Sequence, residues 1–173
     1  MSMETNEFEK MYEEAPKRPT FLVVLAVLSF ASIGFSLLSS FIAVATGPQS
    51  EEQVMEQRVQ LAELAEDMRA EEMESMALTI EKIERMLVTL NDHFFTNQLV
   101  TISLLILGLI GVLFMWQGKR LGFHLYILYS IGAAIQYYLF VSPADIPSFL
   151  IIWNVLISGV FVLLYSRNLK WMR

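Results

Sequence analysis

The chain contains no cysteine, and its four longest apolar runs contain no Asp, Glu, Lys or Arg. The first absence excludes disulfides and thiolate metal sites and leaves the redox compartment open. The second removes the embedded charges on which proton- or ion-coupled transporters and voltage sensors depend. Histidine is scarce, with His93 and His124 the only two. There is no nucleophile motif, no H-x-x-x-H pair and no phosphate loop, so enzyme activity is not expected. No cofactor or metal is implied, and no nucleic-acid partner is expected of a chain with formal net charge -6.

What is present is apolar. Hydrophobic residues make up 55% of the 173, the mean hydropathy is +0.50, and the apolar runs cover 21–45, 94–116, 121–141 and 147–165. Each is close to the ~20 residues that cross a bilayer core as a helix. The expectation is an all-α polytopic membrane protein with four transmembrane helices and a helical excursion between the first two. Lys10, Lys17 and Arg18 precede the first run, Lys119 and Arg120 separate the second from the third, and Arg167, Lys170 and Arg173 follow the fourth. The positive-inside rule places all three clusters, and both termini, in the cytoplasm. The chain then divides into a cytoplasmic tail (1–20), the first span, an acidic outer segment (46–93), the second span, an inner turn (117–120), the third span, an outer turn (142–146), the fourth span and a cytoplasmic tail (166–173). Ala43-Val44-Ala45 has the form of a signal-peptide cleavage site, but the run before it is longer than the ~7 to 15 apolar residues of a signal, so retention is expected.

Of the 18 acids, five lie in the N-terminal tail, twelve between 51 and 92, and Asp145 stands alone. Thr46-Gly47-Pro48 should end the first helix, and Ser50 followed by Glu51, Glu52 and Gln53 has the pattern of a capping box that starts a new one. Met73, Met76, Ile80, Ile83, Leu87, Leu90 and Phe94 recur in steps of three and four, which is a heptad seam. Continued into the second span, the same steps reach Asn97, Thr101, Leu104, Gly108, Gly111 and Met115, exchanging large residues for small ones that allow close helix approach. An upstream seam of Val54, Leu61, Ala65 and Met68 is out of phase with it. A straight helix from Ser50 to Asp92 would run ~63 Å, whereas residues 46–49 extend at most ~14 Å from the first span. The segment must therefore return to the membrane. An antiparallel hairpin turning near Arg69 to Ser75 is preferred over a surface-lying first half, because its two seams bury each other, although no Gly or Pro marks the turn. Met73, Met76, Ile80, Ile83, Leu87 and Leu90 are the candidate partner-binding residues, for another protein or a second copy of this chain. Met73-x-x-Met76 offers two thioethers, but Met at helical spacing is packing far more often than a Cu(I) site.

Within the spans the polar residues are uncharged. Gln136 in the third and Asn154 in the fourth fall at similar depth below the outer boundary, and an amide bond between them would contribute about 0.6 to 2 kcal/mol as a structural clasp. The alternative is a polar pocket open outward, lined by Ser39, Ser40, Thr101, Gln136 and Asn154, for a lipid headgroup or small neutral ligand. His93 and His124 are separated by most of the membrane and cannot share a metal or a proton. In the tail, Phe8, Met11, Tyr12 and Ala15 share one face of a possible short helix ended by Pro16. Ser142 and Asp145 are available as caps around the Pro143 to Pro147 turn.

Pro19-Thr20-Phe21-Leu22, the stretch Trp116-Gln117-Gly118-Lys119-Arg120-Leu121-Gly122-Phe123-His124-Leu125-Tyr126, and Tyr165-Ser166-Arg167-Asn168-Leu169-Lys170-Trp171-Met172 resemble a group of small four-span membrane proteins of Bacteroidota-type bacteria with no assigned activity. The resemblance covers the spans and their inner ends, not the acidic excursion. It implies a bacterial inner membrane and carries over no functional residue. The function expected from the residues is that of a non-enzymatic interaction or accessory subunit working through its acidic outer helices, the alternative being a lipid or small-ligand binder near the outer leaflet.

Overall fold

The computed structural model describes residues 19–173, and the tail carrying Phe8, Met11, Tyr12 and Ala15 lies outside them. The described residues form six α-helices: α1 (Thr20–Thr46), α2 (Glu51–Ala70), α3 (Glu74–Asp92), α4 (Phe94–Trp116), α5 (Arg120–Ile135) and α6 (Ser148–Ser166). Two 3-10 turns, Gln136–Leu139 and Pro143–Asp145, lie between α5 and α6. The architecture among these residues is all-helical.

Helices α1, α4 and α6 are long and apolar enough to cross a membrane. The third expected span does not form as one unbroken helix, which corrects the continuous run drawn over 121–141. α5 is a 16-residue helix, ~24 Å long at 1.5 Å per residue, against a hydrocarbon core of ~30 Å. Hydropathy reads composition and misses this change of winding. The tighter turn beginning at Gln136 brings Tyr137, Phe140 and Val141 against Met86 of α3, so packing on the excursion takes over from helix continuation there.

In the bundle α4 packs on both α1 and α5, α6 packs on α5, and α1 meets α6 lightly. The tightest approach is between α4 and α5. A Cβ on Gly111 would lie 3.0 Å from the Tyr126 backbone nitrogen, and one on Gly122 would strike the backbone of Gly111 and Met115. The small positions expected along α4 thus serve close helix packing. The main core lies toward the basic end, where Leu22, Leu25, Ala26, Ile33, Leu105, Val112 and Met115 surround Tyr126 and Tyr165. The Tyr165 hydroxyl donates to Ser29 Oγ at 2.9 Å, joining α6 to α1.

The C-terminal residues fold back over the α4–α5 turn. Arg173 N–H donates to the Gly118 carbonyl at 2.7 Å and Arg120 N–H to the Arg173 carbonyl at 3.0 Å. Arg120 Nε donates to the Met172 carbonyl at 3.0 Å, and Met172 is buried. Gly118 has φ +80° and lies under the Trp171 ring, where a Cβ would meet ring carbons at 3.1 Å. The stretches 116–126 and 165–172 are therefore packed against each other.

At the opposite end α2 and α3 form an antiparallel hairpin. The capping box forms in both halves: Ser50 Oγ accepts from Gln53 N–H at 3.2 Å and Gln53 Oε1 accepts from Ser50 N–H at 3.0 Å. The turn needs neither Gly nor Pro because Glu72 takes the left-handed conformation, φ +61°, an uncommon choice for a non-Gly residue. His93 alone separates α3 from α4, with φ -103° and ψ 22°, so the helix expected to run continuously into the second span is interrupted for one residue.

Candidate functional site

The hairpin is built from its own seams. Arg58 Nε reaches Glu84 Oε1 at 2.8 Å, and seven residues along each helix from that pair lie Ala65 and Ala77, both buried. Small side chains at that level let α2 and α3 approach closely. Near the turn Arg69 pairs with Glu81 and, at 3.6 Å, with Glu74. The hydrogen bond that Arg69 donates to Glu81 is the main reason the Arg69 pKa is pushed further upward. At the base Asn91 acts as a bracket: its Oδ1 accepts from Gln49 N–H at 2.9 Å and its Nδ2 donates to the Gln49 carbonyl at 3.1 Å. This pair ties the end of α3 to the segment just past α1.

The hairpin also rests on the α5–α6 connection. Met86 is buried with Val141 and Ile146, and Leu90, Tyr137, Phe140, Leu150 and Ile151 pack around them. Beside this contact Arg85 Nε meets Asp145 Oδ1 at 2.6 Å. Asp145 is thus an ion-pair partner and not a helix cap, and Ser142 makes no side-chain cap either. The His93 ring lies 5.9 Å from that of Phe140.

Between the hairpin base and the ends of α1, α4 and α6 lies a cleft of about 410 Å³. Its apolar wall is Ile83, Met86, Leu87, Leu90, Phe94 and Leu150, and its polar wall is Gln49, Asn91, Asn97 and Gln98. The oxygens Asn97 Oδ1 and Gln98 Oε1 are buried without a hydrogen-bond partner. Buried amides are normally satisfied, and these two oxygens are closed off from the cleft as well as unpaired. No Lys or Arg lines the cleft. A smaller adjoining depression shares Asn91 and is lined by Glu51, Asp92 and Arg58.

The six seam residues expected to bind a partner are distributed between several tasks. Ile83, Leu87 and Leu90 line the cleft, Met73 and Ile80 are half-buried, and Met76 is exposed, at 55%. Of the residues expected to form a polar pocket, Thr101 and Gln136 come together, Thr101 Oγ1 donating to Gln136 Oε1 at 3.4 Å. Asn154 Oδ1 accepts from Ser158 Oγ at 3.5 Å and makes no hydrogen bond with Gln136, so the amide clasp does not form. Ser40 is buried while Ser39 is exposed; the five residues do not make one pocket. The cleft meets α4 at Asn97 and Gln98, about one helical turn before Thr101. Asn97 was legible as a polar step in the α4 seam, whereas nothing local marks Gln98, Asn91 or Gln49.

Among the described residues no three His, Asp or Glu side chains cluster as a metal site. His93 and His124 lie at opposite ends of the bundle. No protein-family model, curated protein or solved structure matches the chain. Fold and site together define an all-helical protein with three helices suited to crossing a membrane and a braced hairpin over one end of its bundle.

Proposed function

We propose that this chain is a non-enzymatic integral membrane protein that works by contact, presenting a braced acidic hairpin to a protein partner or a second copy of itself. The observation that carries the reading is the double attachment of the hairpin, through Arg85 to Asp145 and through Met86 to Val141 and Ile146. A helical pair held at its base projects as a rigid element, and rigidity lowers the ordering cost of association. Most of its seam residues pack within the hairpin or line the cleft, so the surface left for a partner is the outward one. Met55 and Val59 on α2, 58% and 46% exposed, stand among acids and suit a partner with an apolar spot ringed by bases.

The same reading takes α5 with the following 3-10 turn as a fourth crossing. Sixteen α-helical residues at 1.5 Å and four 3-10 residues at 2.0 Å give ~32 Å, enough for the ~30 Å core. It places the hairpin outside and the Lys119, Arg120 and Arg173 end in the cytoplasm, by the positive-inside rule, in a bacterial inner membrane. Purification in a gentle detergent followed by mass spectrometry tests the contact role. A stoichiometric protein partner or a defined homo-oligomer, released by Met55→Asp with Val59→Asp, is expected; a lone monomer contradicts it. A second reading, a lipid or small-ligand binder, is favoured by the cleft of about 410 Å³ beneath the hairpin, lined by apolar side chains together with Gln49, Asn91, Asn97 and Gln98.

A further inference from the structure

We propose that a second cleft, between the start of α5 and the C-terminal turn, holds the headgroup of one anionic phospholipid, whose phosphate oxygens accept from Arg120 and Lys170. The site lies at the end of the bundle away from the hairpin. The inference goes beyond the contact role and rests on the membrane placement given with it.

Charge points to an anion. The cleft encloses about 350 Å³ and is lined by Arg120, Phe123, His124, Leu169 and Lys170. Arg120, His124 and Lys170 are exposed, so an occupant can reach them. Neither Arg120 nor Lys170 has an Asp or Glu partner among the described residues. Between His93 and Arg173 the sequence has one acid, Asp145, and Arg85 holds it beside the hairpin. Two cations lining one cleft with no carboxylate near them attract a negative group.

Geometry narrows the anion to a phosphate. Arg120 Nε donates to the Met172 carbonyl at 3.0 Å, which orients the guanidinium and leaves Nη1 and Nη2 to pair with two oxygens of one group. His124 Nδ1 donates to the Arg120 carbonyl at 3.1 Å, holding the imidazole as one wall. Lys119 is drawn elsewhere, its Nζ standing 5.0 Å from the centre of the Phe114 ring. Position and lining narrow the phosphate to a lipid's. Arg120 follows the end of α4 at Trp116 by four residues, and Lys170 follows the end of α6 at Ser166 by four. Both helices are suited to crossing a membrane, and bases just past the ends of such helices meet the headgroup layer. Phe123 and Leu169 make the rest of the lining apolar, which suits the glycerol and first methylenes of a lipid. A free phosphate would leave those side chains without contact.

The test uses the full chain, reconstituted into vesicles of equal parts phosphatidylglycerol, phosphatidylcholine and phosphatidylethanolamine with matched acyl chains, then released into detergent for native mass spectrometry. One retained phosphatidylglycerol is expected, favoured over phosphatidylcholine by at least about tenfold, since each base near an anionic lipid is worth about fivefold. Lys170→Gln should lower that ratio about fivefold, and Arg120→Gln with Lys170→Gln should bring it to about one. Arg167→Gln removes an exposed base at the same end that does not line the cleft, and it should leave the ratio as it was. Equal losses from Arg167→Gln and Lys170→Gln would mean a diffuse positive field and would overturn the site. Equal retention of all three lipids, preference for either zwitterionic one, or displacement of the lipid by inorganic phosphate would overturn it too. If the double variant does not fold, the comparison of Lys170→Gln with Arg167→Gln decides. A chain that enters vesicles but retains no phosphatidylglycerol sinks the site alone. Failure to enter vesicles would remove the membrane placement with it.

Discussion

Arg85 of α3 and Asp145 of the α5–α6 connection, 60 residues apart in sequence, meet Nε to Oδ1 at 2.6 Å. The pair stands over the buried contact of Met86 with Val141 and Ile146. The two contacts hold the hairpin with unequal strength, and that inequality can be measured. The ion pair is exposed, its side chains 50% and 31% accessible, so Arg85→Ala should cost no more than about 1 kcal/mol. Met86 is 7% exposed, and Met86→Ala should cost about 2 to 5 kcal/mol. Limited proteolysis of the hairpin in detergent compares them: the Met86 variant should be cut far faster than the Arg85 variant.

Asn91 brackets Gln49 through both ends of its amide. Asn91→Leu removes donor and acceptor together; because Gln49 is exposed, water can take over its groups, and the cost should be about 0.5 to 1.5 kcal/mol. Hydrogen exchange at residues 47–53 should accelerate in this variant while exchange in the α4–α5 contact stays as it was.

The glycine contacts make a sharper contrast. Gly122→Ala drives a methyl into the backbone of Gly111 and Met115, whereas Gly34 has nothing within 4 Å of an added Cβ. The first should lower stability by about 1 to 3 kcal/mol, since backbone cannot yield as a side chain does. Gly34→Ala should be neutral or slightly stabilising, as Ala is the better helix former. Thermal unfolding in one detergent ranks them.

The fold-back of the C-terminal residues predicts a stabilising role for Trp171. Its ring covers Gly118, and Trp171→Ala should lose about 3 kcal/mol or more of packing. By contrast Tyr165→Phe, which deletes only the hydroxyl given to Ser29, should cost nearer 0.6 kcal/mol, the average for such bonds within membranes. Unfolding by graded detergent denaturation reads both.

Features set by neighbouring residues were legible in the sequence. The capping box at Ser50 and Gln53, the end of α1 before Gly47, and the need for the 50–92 segment to turn back all follow from short spacing or chain length. Small residues at Gly108 and Gly111 announced close helix approach. Features set by distant packing were not legible. The change of winding at Gln136 depends on Tyr137, Phe140 and Val141 covering Met86, and hydropathy is blind to that. Asp145 looked isolated because Arg85 is far along the chain. The amides of Asn91 and Gln98 carry no local pattern that separates a bracket or a cleft wall from ordinary surface. The expected pocket failed for a related reason: similar depth does not set helix rotation, and Asn154 is bonded to Ser158 of its own helix rather than to Gln136.

In the proposed arrangement α5 completes a fourth crossing, which would put the hairpin and the α5–α6 connection on one face and the α4–α5 turn on the other. Because the chain has no cysteine, single substitutions report accessibility without background. Glu71→Cys, Gln117→Cys and Ala144→Cys, all at exposed positions, should be probed with a membrane-impermeant maleimide in intact cells and after permeabilisation. The account predicts that positions 71 and 144 are labelled in intact cells and that position 117 is labelled only once the membrane is opened. Labelling of 144 together with 117, on the side opposite 71, would contradict it.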